Sequence, residues 1–306
     1  MKVLLRAPLL TNSGYGVHSR QIFEWLYEKP GVELTVQCLM WGRCSWIIDK
    51  NSHNGLIGKI MSCSRNVEKE KYDVSFQVKL PNEWDPSLAK INYGISAFVE
   101  TDRCNPAWIE KCNNMSHIIV PSTFTKNVVK RSGILKVPIT VIPEWFNTQI
   151  INKSINDKII HSDKNFKFDT KFNILIMGLL TSYSAEDDRK NLVNTIKWAI
   201  ESFEGNKDVG IVLKTNVGKG TFEDRDKCEA VVKQIIKDTR KSEYPKIHLI
   251  HGNMSRSEIA ALYNVSSIKM YASATRGEGY GIPLVDAAAS GMPVVATNWS
   301  GHLLIV

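Results

Sequence analysis

The chain of 306 residues is 43% hydrophobic and 23% charged, and its formal net charge is +8. This length allows two domains with separate cores, and the composition is typical of a soluble globular protein rather than a disordered or fibrous one. No apolar run approaches the roughly 20 residues that span a bilayer. The positive charge indicates either solvated lysines or attraction to an anionic partner such as a nucleotide or a phospholipid surface. Nucleic acid is not a predicted partner, because no basic segment is interleaved with aromatic residues.

The cysteines and the first residues favour a cytoplasmic protein. The six cysteines form no CxxC pair and show no metal-ligand spacing, so we expect reduced thiols and no metal site. The start, MKVLLRAPLLTNSG, has an apolar run that Arg6 and Pro8 interrupt, and it reads better as a strand and turn than as a signal peptide. Peripheral attachment to the inner face of an anionic membrane is compatible with the basic charge, although no amphipathic basic helix is evident.

Short apolar runs alternate with helical patterns in the first half of the chain. Helices are predicted over 16–29 and 122–131. Strands are predicted over 2–7, 32–39, 72–78, 91–98, 117–120 and 139–142. Strands that alternate with helices indicate βαβ units and a parallel sheet.

The pattern stops at 147–171, which is rich in Asn, Lys, Asp and Ser, and then resumes. Helices are predicted over 190–203, 224–240 and 255–264, the last opened by a capping box of Ser255 and Glu258. The predicted strands are 172–177, 209–214, 246–250 and one near 268–271.

These elements predict an α/β fold of two tandem Rossmann-like, doubly wound parallel-sheet domains that face a cleft. The N-terminal domain is expected over 1–150 and the C-terminal domain over 172–306, with 151–171 as linker and surface loop. Such sheets bind ligands beyond the carboxyl ends of their strands, so the loops at those ends are the candidate site.

The first of these loops is TNSGYGVHS, residues 11–19. Gly14 and Gly16 permit a tight turn that leaves backbone N–H groups at a helix start available to an anion. A dinucleotide fingerprint is incomplete, because position 19 is Ser and no acid closes the second strand. A plain tight turn remains an equal interpretation.

The second candidate loop is DDRKNL, residues 187–192. Either acid could cap the following helix, and the cations could be solvated. Alternatively, Arg189 and Lys190 beside helix N–H groups would bind a diphosphate. Lys214 ends the next strand and could point to the same place.

The third is RGEGYGIPLVD, residues 276–286. Its glycines allow backbone to approach a ligand, and Pro283 suits a first helical turn. Asp286 is expected in that turn, where the helix dipole alone could explain it. Glu278 precedes the helix, which the dipole does not explain, so the two acids suggest contacts to a sugar and a ribose.

The segment EGYGIPLVDAAASGMPVVATNWSG closely resembles the Glu-(seven residues)-Glu motif of family 4 glycosyltransferases with the GT-B fold, with Asp286 as the second acid. Residues 98–143 resemble the latter half of that family's N-terminal domain, and DDRKNL resembles its phosphate-binding region. The resemblance implies retaining transfer from a nucleotide-diphosphate sugar, used as substrate, without a metal or other cofactor. It implies that Glu278 contacts the sugar, Asp286 the ribose, and Lys190 with Arg189 the diphosphate. Gly279, Tyr280 and Gly281 would supply backbone near the sugar and phosphates.

Two departures from the family pattern bear on catalysis. No N-terminal His near the donor sugar is assigned, the nearest candidates being His18 and the acids of ETD, residues 100–102. The Gly that usually follows VIP is replaced, giving VIPEWFN. The chain also stops at GHLLIV, where the family usually continues, so a fragment or a short member is expected.

Alternatives to an active transferase remain open. One is a nucleotide-sugar-binding relative that has lost catalysis, and another is a different tandem-Rossmann enzyme such as a sugar epimerase or dehydrogenase. The acceptor could be a saccharide, a lipid-linked group or a protein.

Overall fold

A computed structural model describes residues 1–68, 71–180, 182 and 184–305. The chain divides into two compact units. Unit 1 comprises residues 1–145 together with the short segment 278–280, and unit 2 comprises 146–277 and the chain from 281 onward. Among the described residues, no helix combines the length and apolar character needed to cross a bilayer.

Unit 1 is built on a six-stranded parallel sheet. The strand order is β2-β1-β3-β4-β5-β6. Its strands are β1 (Lys2–Ala7), β2 (Glu33–Cys38), β3 (Tyr72–Val78), β4 (Ala89–Ile95), β5 (His117–Val120) and β6 (Ile139–Val141). Its helices are α1 (Gly14–Tyr27), α2 (Leu56–Cys63), α3 (Pro106–Cys112) and α4 (Thr123–Ser132), with a 3₁₀ turn at Pro81–Glu83.

Unit 2 repeats this design on a five-stranded parallel sheet. The strand order is β11-β10-β7-β8-β9. Its strands are β7 (Phe172–Met177), β8 (Val209–Thr215), β9 (Lys246–His251), β10 (Ile268–Ser273) and β11 (Val294–Ala296). Its helices are α5 (Lys153–Ser162), α6 (Leu192–Ser202), α7 (Phe222–Thr239), α8 (Arg256–Tyr263) and α9 (Ile282–Ala289), with 3₁₀ turns at Thr148–Ile151, Lys164–Phe166 and Gly301–Leu304.

Each sheet has a hydrophobic core of its own. In unit 1, Phe23 and Leu26 of α1 pack with Val3 and Leu5 of β1. In unit 2, every residue of β8 is buried, as expected for a central parallel strand covered on both faces. The predicted α/β class with two Rossmann-like parallel-sheet domains is therefore confirmed.

The segment 151–171, expected to be a linker and surface loop, instead contains helix α5. The buried residue of α5 is Asn156, whose side-chain amide donates to the carbonyls of Gln149 and Ile150. Ile159 and Ile160 are only partly buried against the core of unit 2. The sequence pattern did not indicate α5, because its ten residues include only three apolar side chains, Ile155, Ile159 and Ile160.

Candidate functional site

The loop after β10 is hydrogen-bonded to the segment that carries Arg189. The Nη1 atom of Arg189 donates to the carbonyl of Gly277 at 2.8 Å, and the N–H of Arg276 donates to the carbonyl of Arg189 at 3.0 Å. The side-chain amide of Asn191 donates to the carbonyl of Ala274 at 2.9 Å. Arg189 is thus adjacent to the glycine-rich segment, as the sequence suggested, and part of its guanidinium is engaged in holding that segment.

The acid before Arg189 has a structural role. Asp188 is fully buried, and its Oδ2 accepts from the N–H of Leu192 at 2.6 Å, at the start of α6. This bond agrees with the capping interpretation of Asp188 and leaves the cations to be explained separately. Lys190 is half-buried, and its stem runs beside Gly178 at the end of β7.

Lys214 lies at the carboxyl end of β8 and is buried. Its Nζ donates to the carbonyl of Gly252 at 2.6 Å. Burial lowers the pKa of Lys214 to about 8, because a charged ammonium loses hydration there. Its expected contact with a phosphate stays a prediction.

Three side chains near the start of α7 could hold a metal ion. Among the described residues, the ligand atoms of Asp224, Cys228 and His251 lie within 4.8 Å of one another. The Asp224 carboxylate already accepts from the N–H groups of Val217 at 2.7 Å and Lys219 at 2.6 Å, and lies 3.2 Å from Nε2 of His251. These hydrogen bonds close the loop after β8, and this structural role accounts for the burial of Asp224. Sequence spacing did not reveal the group, because Asp224 and Cys228 lie on α7 whereas His251 ends strand β9.

The segment 278–280 is held in unit 1 by hydrogen bonds. The carbonyl of Gly279 accepts from Oγ of Ser122 at 2.7 Å and from Oγ1 of Thr125 at 3.3 Å, at the start of α4. A Cβ at position 279 would lie 2.6 Å from Cβ of Ala97. Glycine is therefore required here because Ala97 lies so close. The close approach to a ligand that the sequence suggested for this glycine stays a prediction.

The two neighbours of Gly279 are buried with it. The hydroxyl of Tyr280 donates to the carbonyl of Glu144 at 2.6 Å, and Glu278 is 8% exposed. Residue 145 is held in turn by Gln21 of α1, whose side-chain amide accepts from the N–H of Trp145 at 3.0 Å and donates to its carbonyl at 2.5 Å. The carboxylate of Glu278 is therefore carried on a backbone with little freedom to move.

His18, Glu144 and Glu278 bring three titratable side chains together. Nδ1 of His18 lies 3.4 Å from Oε1 of Glu144, and both side chains are nearly buried. Burial and, secondly, the charge of Glu278 raise the pKa of Glu144 from 4.5 to about 8. Burial lowers the pKa of His18 from 6.5 to about 4. Both shifts favour the neutral forms of Glu144 and His18.

The first glycine loop does not leave all its N–H groups available. Ser13 caps α1, and its Oγ accepts from the N–H of Gly16 at 3.0 Å. A Cβ at Gly16 would collide with the carbonyl of Thr11, whereas Gly14 has open space around it. The N–H of Gly16 is used by the helix cap. The expected binding of an anion at this helix start stays a prediction.

Asp286 lies in the second turn of α9 rather than in the first, which contains no acid. It is 4% exposed, and its Oδ1 accepts from the N–H of Asn147 at 2.8 Å. Burial raises the pKa of Asp286 to about 6, against the opposing effects of the Asn147 hydrogen bond and the charge of Arg256. The N-cap of α9 is Gly281, which has a φ of 95° that favours glycine.

Several of these residues were not found from the sequence. The sequence places Ser122 and Thr125 in the predicted helix over 122–131, and Glu144 in the segment VIPEWFN, with no indication that they contact residues 278–280. Their contacts with residues 278–280 span well over a hundred positions of sequence, so no spacing rule could reveal them.

Comparison with known proteins supports a glycosyltransferase. Residues 228–306 match the family model described as Glycosyl transferases group 1. A comparison with curated proteins finds no match.

Solved structures share the fold along nearly the whole chain. Anabaena HepE in complex with UDP-glucose has a TM-score of 0.65 at 11% identity, over 100% of this chain and 83% of that one. Sucrose-phosphate synthase from Thermosynechococcus elongatus has 0.64 at 12%, over 100% and 84%. A trehalose-phosphate synthase from Burkholderia xenovorans, in complex with glucose-6-phosphate, has 0.63 at 10%, over 99% and 86%. These likenesses show the GT-B fold, and with the family match they support a GT-B glycosyltransferase.

Proposed function

We propose that the protein is a retaining, family 4 glycosyltransferase that moves a sugar from a nucleoside-diphosphate sugar to a hydroxyl of a saccharide acceptor. The observation that carries this proposal is the fixed carboxylate of Glu278, in a glycine-flanked segment held by Ser122, Thr125 and Tyr280. A buried carboxylate on a rigid backbone is suited to orient sugar hydroxyls, because it accepts strong hydrogen bonds without rearranging.

We assign charged residues to each part of the sugar donor. Arg189 and Lys190 would bind the diphosphate, and Glu278 would bind the transferred sugar. Asp286 would accept from the ribose through the oxygen that Asn147 does not occupy. Gly279, Tyr280 and Gly281 would supply backbone near the sugar and phosphates, while Gly14 and Lys214 are assigned to further phosphate contacts.

The reaction breaks the bond between the anomeric carbon and the diphosphate oxygen, and forms a bond from that carbon to the acceptor oxygen on the same face. The acceptor proton passes to an oxygen of the departing diphosphate, which leaves as the nucleoside diphosphate. Negative charge develops on the leaving group, and the cations at 189 and 190 would stabilise it. We therefore propose that the step proceeds without a metal ion.

The complexes of the structural neighbours suggest the first ligands to test. HepE was solved with UDP-glucose, and the Burkholderia enzyme with glucose-6-phosphate. We propose a UDP-sugar as donor and a sugar or sugar phosphate as acceptor.

Calorimetry with UDP, GDP and ADP, followed by turnover of the matching sugar nucleotides, tests the proposal. We expect Glu278→Gln to lower kcat at least ~10-fold with a small change in donor KM, since charge on the sugar changes as the bond breaks. Glu33→Gln, an exposed acid on β2, is the matched control. Normal turnover by Glu278→Gln would refute the assignment, whereas nucleotide binding without any turnover by the wild type would favour the catalytically impaired relative.

A further inference from the structure

Glu144 occupies the position where the family pattern is broken, and its surroundings are unusual for a carboxyl group. It is 8% exposed, and the backbone around it is fixed by Tyr280 and by the paired bonds of Gln21 to Trp145. The side chain lies beside the imidazole of His18, 3.4 Å from Nδ1. The charge of Glu278 also raises the pKa of Glu144.

Two neighbouring buried carboxyl groups cannot both ionise at low cost, because each disfavours the charge of the other and burial penalises both charged forms. Within the described part of the chain, the titratable groups near Glu144 come from α1 and from the segment 278–280. From α1 they are His18, which burial keeps neutral, and Tyr15, whose pKa burial raises. From the segment 278–280 they are Glu278 itself and the phenol of Tyr280, which donates to the Glu144 carbonyl.

We propose that Glu144 is a positioning residue that retains a proton at neutral pH, so that Glu278 alone carries the negative charge that orients the donor sugar. This inference rests on the proposed function. The proton of Glu144 is available to an acceptor in the cluster, either Nδ1 of His18 or a carboxylate oxygen of Glu278. Loss of that proton adds a second negative charge beside the glycosyl donor, which itself carries a negative diphosphate, and so weakens productive binding.

The activity test compares pH profiles of wild type, Glu144→Gln and Glu144→Ala. The pKa of about 8 predicts that wild-type kcat/KM falls roughly 10-fold between pH 7 and pH 9. The amide of Glu144→Gln is a permanently neutral donor of similar shape, so its profile should be flat over this range. Glu144→Ala should lower kcat/KM at least ~10-fold at pH 7, because alanine supplies no hydrogen-bond donor. Glu144→Gln should retain most of the wild-type kcat/KM at this pH. Glu33→Gln should keep the wild-type profile.

A second measurement does not depend on turnover. The folded-state pKa of Glu144 is raised above its unfolded value of 4.5, so its contribution to stability is complete below that value and is lost as pH rises to about 8. The free energy of unfolding of the wild type should therefore fall across this window relative to that of Glu144→Gln.

The two measurements separate the two hypotheses. Parallel unfolding profiles for wild type and Glu144→Gln would overturn the proton assignment, whatever the activity. Diverging unfolding profiles with an alkaline decline of kcat/KM that survives in Glu144→Gln would overturn the positioning role. Absence of turnover with every donor would reject the proposed function, and the unfolding profiles would still decide whether Glu144 holds the proton.

Discussion

Replacing Gly279 by alanine should destabilise unit 1 through one identifiable collision. The new methyl would lie 2.6 Å from Cβ of Ala97 and 3.1 Å from its carbonyl oxygen. Carbon atoms in contact prefer about 3.5–4.0 Å, so the segment must move by roughly 1 Å. That movement would strain the hydrogen bonds from Ser122 and Thr125 to the carbonyl of Gly279. Overpacking of this kind costs about 1–3 kcal/mol.

A double-mutant cycle tests this explanation. Ala97→Gly removes the nearest atom while leaving the carbonyl, so the pair Gly279→Ala with Ala97→Gly should recover more than half of the loss. Unfolding in urea, followed by tryptophan fluorescence, measures the four free energies. We also expect Gly279→Ala to lower kcat, because Glu278 moves with its neighbour. Strictly additive effects of the two substitutions would show that the collision is not what glycine avoids here.

Three further predictions concern the proposed donor site. Lys190→Ala should weaken nucleotide-diphosphate binding by about 1.5–3 kcal/mol in calorimetry, as expected for loss of a charge-assisted contact, whereas the exposed Lys207→Ala should not; equal affinities for both would reject the diphosphate assignment. Chelation by EDTA should leave turnover unchanged, and a loss that Mg²⁺ or Mn²⁺ restores would overturn the metal-free mechanism. Asp286→Asn should mainly raise the donor KM. Because the fold raises the pKa of this acid, the free energy of unfolding of the wild type should fall as pH rises from 3.8 to about 6, and that of Asp286→Asn should not. Parallel pH dependences of the two unfolding free energies would contradict this expectation.

The sheets could be predicted well from the sequence, whereas short or polar helices could not. Strands β3 and β7 have the predicted bounds. β7 is a mostly apolar run, as buried parallel strands are, whereas β3 alternates apolar and polar residues, which is the other strand pattern. The predicted capping box of Ser255 and Glu258 is also confirmed. Helices α2 and α3 were not predicted, because they have only 8 and 7 residues and, unlike α8, no capping box marks their start. Helix α5 was not predicted because only three of its ten residues are apolar.

For the candidate site, the sequence predicts the residues but not their contacts. The motif spacing identified Glu278 and Asp286, yet residues only a few positions apart in this motif have separate sets of partners. Gly277 is bound by Arg189, Gly279 by the start of α4, and Asp286 by the backbone of Asn147. These partners come from distant parts of the chain, and local pattern carries no information about them.

The same reasoning explains why Glu144 is informative. Glu144 is buried beside another acid, where an uncompensated charge would be costly. Such a group is tolerated only if the site keeps it neutral or uses its charge. Tyr280 and Gln21 fix the backbone on which Glu144 is carried, so the proton rather than a movement of the chain is the variable that remains. Solvent pH then becomes a direct control on the charge next to Glu278.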